Sequence, residues 1–271
     1  LPDVEPGPGP AAADLELLVT AAREAGAVAL RHFRHDPAQW TKSGGSPVSE
    51  ADLAADRALA ERLRPARPGY GWLSEETVDG PDRLARRRLF VVDPIDGTRA
   101  FLAGSEFWTV SVAVVEDDRP IVAALHAPAL GLTWTAVAGD GASLDGGRVG
   151  VAGRDLLSGA RVSAPRRWFE APAMKAAGFG EERLVPSLAL RFARVADGDL
   201  DLAFASRNAH DWDLAAADLL VQEAGGRLTA ANGDAPRYNR PVPRHPPLVA
   251  AGPGLYDAAM RLLARLEAVP K

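Results

Sequence analysis

Asp93-Pro94-Ile95-Asp96-Gly97-Thr98 closes a short apolar run, Arg88-Leu89-Phe90-Val91-Val92. The run reads as a buried strand that ends abruptly on a carboxylate. Pro94 stiffens the turn, and Asp96 returns toward the point where Asp93 leaves the strand. Two carboxylates held that close repel each other unless a cation lies between them. An all-oxygen donor set with no adjacent His or Cys favours Mg2+ over zinc. Gly97 and Thr98 then open a short helix whose free N–H groups suit a phosphate. Asp, Pro and Gly also build ordinary acidic turns, but such turns rarely need two inward carboxylates.

Upstream, Leu15, Leu18, Val19, Ala22, Ala29, Leu30 and Phe33 recur at helical spacing, with Asp14 as a plausible N-cap. A loop at Lys42-Ser43-Gly44-Gly45 leads to a second helix from about Ser49, with Leu53, Leu59 and Leu63 on its apolar face. Downstream, Trp108 to Val115, Ile121 to His126 and Thr133 to Val137 read as strands, and Asp117-Asp118-Arg119-Pro120 turns the chain between the first two. This is an antiparallel meander. The second half changes character. Strands near Arg161–Ser163 and Leu200–Ala205 flank a helix near Ser187–Ala196, and a helix over Asp213–Ala224 stops at Gly225-Gly226. Strands at Arg227–Ala230 and Leu248–Ala251 and a helix from about Leu255 complete the chain. The expected class is therefore layered α/β: an antiparallel sheet in the N-terminal half, 11–155, and a mixed sheet in the C-terminal half, 156–271. A flexible Pro/Gly-rich segment, 1–10, precedes them.

The 271 residues are 47% hydrophobic, enough for a substantial core. A net charge of −5 argues against a nucleic-acid coat or a polybasic membrane binder. The absence of cysteine excludes disulfides, thiolate zinc sites and cysteine-based phosphate chemistry. No apolar run approaches a membrane span, and the first ten residues lack a basic-then-apolar leader. A cytoplasmic enzyme is the expectation.

Other acidic residues are ambiguous singly. Glu75-Glu76 after Trp72-Leu73 fits a solvated surface, Asp52 in Ser49-x-x-Asp52 fits a capping box, and Asp213 at a helix start fits a cap. Together they are informative. Val48-Ser49-Glu50-Ala51-Asp52, Ser74-Glu75-Glu76, Asp93-Pro94-Ile95-Asp96-Gly97-Thr98 and Trp212-Asp213-Leu214-Ala215-Ala216 continuing to Glu223-Ala224-Gly225-Gly226 stand in the order and spacing of one family. The chain resembles the inositol monophosphatase superfamily of Mg2+-dependent phosphatases over most of its length. The resemblance implies an αβαβα sandwich that hydrolyses small phosphate esters with two or three Mg2+ ions. It places one ion on Glu75, Asp93 and the carbonyl of Ile95, and a second on Asp93, Asp96 and Asp213. It makes Thr98, paired with Asp52, a helper in deprotonating water near Glu75, and gives the phosphate to the N–H groups of Gly97 and Thr98. It puts Lys42 on a loop over the site, and it further implies a homodimer and inhibition by Li+.

Histidines compete poorly for the chemistry. His32 and His35 end the first helix, where cations suit the dipole, and His126 reads as a satisfied strand residue. His210, three residues before Asp213, is a substrate-side candidate. Inositol-specific members carry a glutamate seven residues before the second-signature aspartate, where this chain has Ser206. His126-Ala127-Pro128-Ala129-Leu130 and Ser187-Leu188-Ala189-Leu190-Arg191-Phe192 resemble instead the 3'(2'),5'-bisphosphate nucleotidase branch. Arg191, Arg207 and His210 are then candidates for a second phosphate or a base, although each arginine also fits a solvated surface. Inositol, fructose and histidinol phosphates stand as alternatives, and a binding or regulatory role as an alternative of another class. Aspartyl-phosphate phosphatases, the other strand-end Asp enzymes, space their pair as Asp-x-Asp, whereas Asp93 and Asp96 have two residues between them.

Overall fold

A computed structural model describes residues 10–42, 45 and 47–267. The expected flexible start lies outside these apart from Pro10, as do Ser43 and Gly44 of the first loop. Helix α1 (Pro10–Leu30) is followed by a hairpin of β1 (Gln39–Thr41) and β2 (Pro47–Ser49), helix α2 (Glu50–Ala66) and strand β3 (Gly71–Ser74). Next come β4 (Arg88–Asp96), a short α3 (Thr98–Leu102), β5 (Thr109–Glu116), β6 (Arg119–Ala127), β7 (Leu132–Val137), β8 (Gly141–Leu144) and β9 (Gly147–Arg148). The second part runs β10 (Arg161–Ser163), α4 (Pro172–Lys175), β11 (Glu181–Arg183), α5 (Leu188–Ala196), β12 (Leu202–Ala205), β13 (Ala209–His210), α6 (Asp211–Glu223), β14 (Arg227–Ala230), β15 (Arg244–His245), β16 (Leu248–Ala251) and α7 (Pro253–Glu267).

Strands β3 to β9 form one sheet in sequence order, and a second sheet has the order β11-β10-β12-β16-β14. Strand alternation explains the layers. Phe90 and Val92 of β4 pack with Val110, Val112 and Val114 of β5 against Leu18, Ala22, Leu59 and Leu63 of α1 and α2. Leu89, Val91, Ala113 and Val115 point the other way, into a core shared with α5, α6 and Ala203, Ala205 and Ala250 of the second sheet. The outer face of that sheet, Val162, Phe204 and Val249, packs on Leu255, Leu262 and Leu263 of α7. The result is the αβαβα sandwich.

Three expectations are corrected. The first sheet is not purely antiparallel, because β3 pairs with β4 in parallel before the meander begins. Asp14 is not an N-cap: it is buried one turn inside α1, where it accepts hydrogen bonds from Arg67 (2.7 Å) and Tyr70 (2.9 Å). Leu53 on α2 faces solvent instead of the core. The β5–β6 turn narrows to Asp117-Asp118, both at positive φ (46° and 68°), as a tight two-residue hairpin requires.

One buried carboxyl lies apart from the signature residues. Asp218 of α6 accepts hydrogen bonds from Tyr238 (2.9 Å) and Gln222 (2.8 Å), yet burial pushes it up to about 6 from 3.8. A folded value above the unfolded one means that its contribution is full below about 4 and lost as pH rises through about 6. We expect Asp218→Asn, which keeps an acceptor for Tyr238, to melt higher than wild type at pH 8, by on the order of 1–2 kcal/mol. The gain should vanish at pH 4; calorimetry at the two pH values checks this, and an equal shift at both would refute it.

Candidate active site

The parallel β3–β4 pair sets the centre of the site. Its register aligns Ser74 with Val92, and the N–H of Glu75 donates to the Val92 carbonyl (3.3 Å). Glu75 and Asp93 therefore leave the sheet side by side. Asp93 is fully buried, and one of its oxygens accepts the N–H of Ile95 (3.0 Å). The other, Oδ2, is buried with no hydrogen-bond donor. A break in the β4–β5 register between Asp93 and Asp96 turns the second carboxylate inward. Gly97 follows at φ 98°, where an added Cβ would meet the Phe107 carbonyl at 3.2 Å and Ser187 at 3.3 Å. The position thus admits glycine for two reasons, its conformation and its space.

The second half supplies the closing wall. Asp213 stands in the first turn of α6, with its Oδ2 held by the N–H of His210 (2.7 Å). It is therefore the third helical residue and not the first, as α6 begins at Asp211. Oxygens of Asp93, Asp96 and Asp213 come within 4.8 Å of one another. Ser187, the N-cap of α5, donates to Asp96, as does the N–H of Ala189 (2.7 Å). Ser187 was placed by the sequence at the start of this helix but not among the site residues. Ser111 donates to the Trp212 carbonyl (3.2 Å) and ties β5 to the start of α6.

Two further groups complete the cage. Thr98 donates to Asp52 (3.0 Å) and also lies 3.1 Å from the Ile95 carbonyl. Asp52 is held through its other oxygen by the N–H (2.8 Å) and hydroxyl (2.6 Å) of Ser49. Lys42 reaches over from the first loop to Glu75 (3.1 Å) and Glu76 (2.6 Å). Burial pulls its ammonium down, but the two glutamates together lift it above its ordinary value.

Burial pushes the carboxyls up, and at Glu75, Glu76, Asp93 and Asp96 neighbouring negative charge adds to it. Asp93 rises well above the usual range, Asp96 and Glu76 reach about 7, and Glu75 and Asp52 rise as well. Such a set is unfavourable without positive charge at its centre. A hard divalent cation fits it: the donors are all oxygen, three of them converge, and Asp93 Oδ2 has nothing else to bind.

The remaining candidates fall into place differently. Arg191 is partly buried, donates to the carbonyls of Val185 (2.7 Å) and Phe204 (2.8 Å), and is lowered by desolvation to about 10. Arg207 pairs with Glu267 (2.7 Å) beside a cavity of about 490 Å³ formed with Asn208, Ala231 and Pro246, away from the carboxylates. The structure therefore brings neither arginine to the cage with a free guanidinium. His210 does border it, its ring stacked on Trp212 (4.5 Å, 6°). His126 has its Nδ1 within 3.0 Å of the Leu132 carbonyl and is a satisfied strand residue.

A carboxylate cage at the junction of two sheets in an αβαβα sandwich defines a metal-dependent phosphoric monoester hydrolase. Residues 12–269 match the inositol monophosphatase family, and the chain belongs to that family. It is 36% identical to a histidinol-phosphatase of Mycobacterium tuberculosis, over 71% of this chain and 77% of that one. It is 34% identical to an inositol-1-monophosphatase of Mesorhizobium japonicum (81% and 86%) and 29% identical to the 3'(2'),5'-bisphosphate nucleotidase CysQ of Aggregatibacter actinomycetemcomitans (83% and 87%). Among solved structures, the extragenic suppressor protein SuhB of Bartonella henselae superposes with a TM-score of 0.82 at 28% identity, covering 93% of this chain and 98% of that one. No described helix is long and apolar enough to cross a membrane.

Removing the charge at Asp93 tests the cage. Asp93→Asn should lower metal-dependent turnover by at least ~10²-fold while the far-UV spectrum stays native. Its melting temperature should rise without metal, because one buried charge is gone, and should lose the increase that Mg2+ gives wild type. Near-wild-type turnover would refute the assignment.

Proposed function

We propose that the chain hydrolyses small phosphate monoesters with Mg2+, and that its preferred substrate is a 3'(2'),5'-bisphosphate nucleotide such as adenosine 3',5'-bisphosphate. The observation that carries the hydrolytic reading is the donor-free Oδ2 of Asp93 at the centre of converging carboxylates. Glu75, Asp93 and the Ile95 carbonyl hold one ion in this reading, and Asp93, Asp96 and Asp213 a second. Bound Mg2+ supplies charge to the phosphate oxygens and acidity to water.

The chain's own residues do the rest. Thr98 accepts the attacking water's proton on its hydroxyl oxygen as it hands its own proton to Asp52, which Ser49 holds in place. Glu75, steadied by Lys42, stands beside Asp93 and orients that water by accepting a hydrogen bond from it. Gly97 and Thr98 at the opening of α3 offer N–H groups to the phosphate. Ser187 and Ala189 keep Asp96 oriented.

Support for the nucleotide comes from Ser206, which stands where inositol-specific members have a glutamate for sugar hydroxyls, and from likeness to a named nucleotidase. An inositol phosphatase is the second reading, favoured by the relative of that name at higher identity. Phosphate release with Mg2+ from adenosine 3',5'-bisphosphate and inositol 1-phosphate, measured side by side with Asp93→Asn as blank, separates them. We expect kcat/KM at least ~10-fold higher for the nucleotide, a difference of about 1.4 kcal/mol. An equal or reversed ratio would refute the substrate assignment and leave the hydrolytic chemistry standing.

A further inference from the structure

The cations near the cage are almost all committed to protein partners. Lys42 is bound between Glu75 and Glu76, Arg191 by main-chain carbonyls and Arg207 by Glu267. Arg83 is buried and held by Asp79 and Asn239. Arg244 differs. It is exposed and has no carboxylate partner among the described residues.

Strand β15 pairs with β13 so that Arg244 faces His210, three residues before Asp213. The Nε of Arg244 donates to Nε2 of His210 (3.1 Å). That bond fixes the imidazole as the tautomer with its proton on Nδ1, which lies 3.8 Å from Asp213 Oδ2. The guanidinium thus stands one imidazole's width from a proposed metal ligand. Stacking on Trp212 keeps the histidine ring from turning away. Next along the chain, His245 is buried and bonded to Asp211 (2.7 Å), which also receives the N–H of Asn239 (2.8 Å). These bonds fix the backbone from which Arg244 extends. With Nε occupied by His210, its two terminal nitrogens have no hydrogen-bond partner among the described residues. They form the planar fork that matches a phosphate. Arg240, also without a carboxylate partner, holds the Arg244 carbonyl (3.0 Å) and lines a separate cavity with Arg119 and Arg237.

We propose that Arg244, steadied by His210, binds a second phosphate group of the substrate and thereby selects bisphosphates over monophosphates. The inference rests on the bisphosphate reading of the site. It assigns to Arg244 the part that Arg191 and Arg207, already bound within the fold, are not free to play.

Steady-state kinetics on the full chain with Mg2+ test it, using adenosine 3',5'-bisphosphate and adenosine 3'-monophosphate as paired substrates for wild type, Arg244→Ala and Arg244→Lys. For Arg244→Ala we expect KM for the bisphosphate to rise about 10–100-fold, with kcat little changed and the monophosphate unaffected. Arg244→Lys should recover part of the loss, because it restores charge without the fork. Equal losses on both substrates would mean that Arg244 only positions His210 and Asp213, and would overturn the proposal. A wild type that prefers the bisphosphate, with Arg244→Ala retaining that preference, would overturn it alone. A wild type with no preference would remove the substrate reading and this inference with it. Matching melting curves for the three proteins show that folding is not the cause.

Discussion

The buried carboxylate of Asp93 is the constraint on which the architecture turns. A charge with no donor on one of its oxygens is among the least favourable groups a protein interior can hold. It is tolerable only where its neighbours and a cation share the site. Several of the elements that build the cage reach it at an end: β3 through Glu75, α2 through Asp52, α5 through its contact with Asp96, and α6 through Asp213. Element ends expose unpaired N–H groups and turn side chains away from ladders and helical bonds. The cage is therefore placed where the backbone already has polar groups to spare.

Two of these residues show that capping a helix and facing the carboxylate cage are compatible. Asp52 satisfies the capping box of α2 through Oδ2 and receives Thr98 through Oδ1. Asp213 accepts the His210 N–H through Oδ2 and belongs to the converging carboxylates. A carboxylate has about four acceptor positions, so one oxygen can lock the helix start while the other faces the site. The cap supplies the rigidity that ligand geometry needs. Ser187 does the same from outside, capping α5 and donating to Asp96.

Much of the fold was legible because its strongest signals are local. Apolar runs gave β4, β5, β6, β12 and β16 to within a few residues, and the Gly225-Gly226 stop gave the end of α6. The parallel pairing of β3 was not, since a four-residue strand carries little pattern and its partner is set by the loop between. Asp14 misled for a related reason: its partners, Arg67 and Tyr70, lie more than fifty residues away. In the site, Asp93 and Asp96 were legible through their spacing, and Glu75, Asp213, Thr98 and Asp52 through family likeness. The arginines were not. Arg191 and Arg207 stand in suggestive segments, but whether a guanidinium is free depends on carbonyls and carboxylates brought in by other elements. Arg244 sits in a two-residue strand whose only cue is its pairing with β13.

Because the donors come from the first sheet and from the helical layer packed on it, the site and the tertiary structure are linked. Asp93 and Asp96 belong to the first sheet, Asp213 and Ser187 to the α5–α6 layer between the sheets. Burial and mutual repulsion raise the pKa values of these carboxyls and so favour their protonated forms. A cation held by Asp93, Asp96 and Asp213 would offset that repulsion and, binding the folded form alone, would stabilise it by mass action, at the same junction that Ser111 and Trp212 bridge. Arg244 hangs on that junction through His210, whose N–H holds Asp213. On the proposal above, a substrate held by Arg244 and by the metal would touch both walls of the cleft at once.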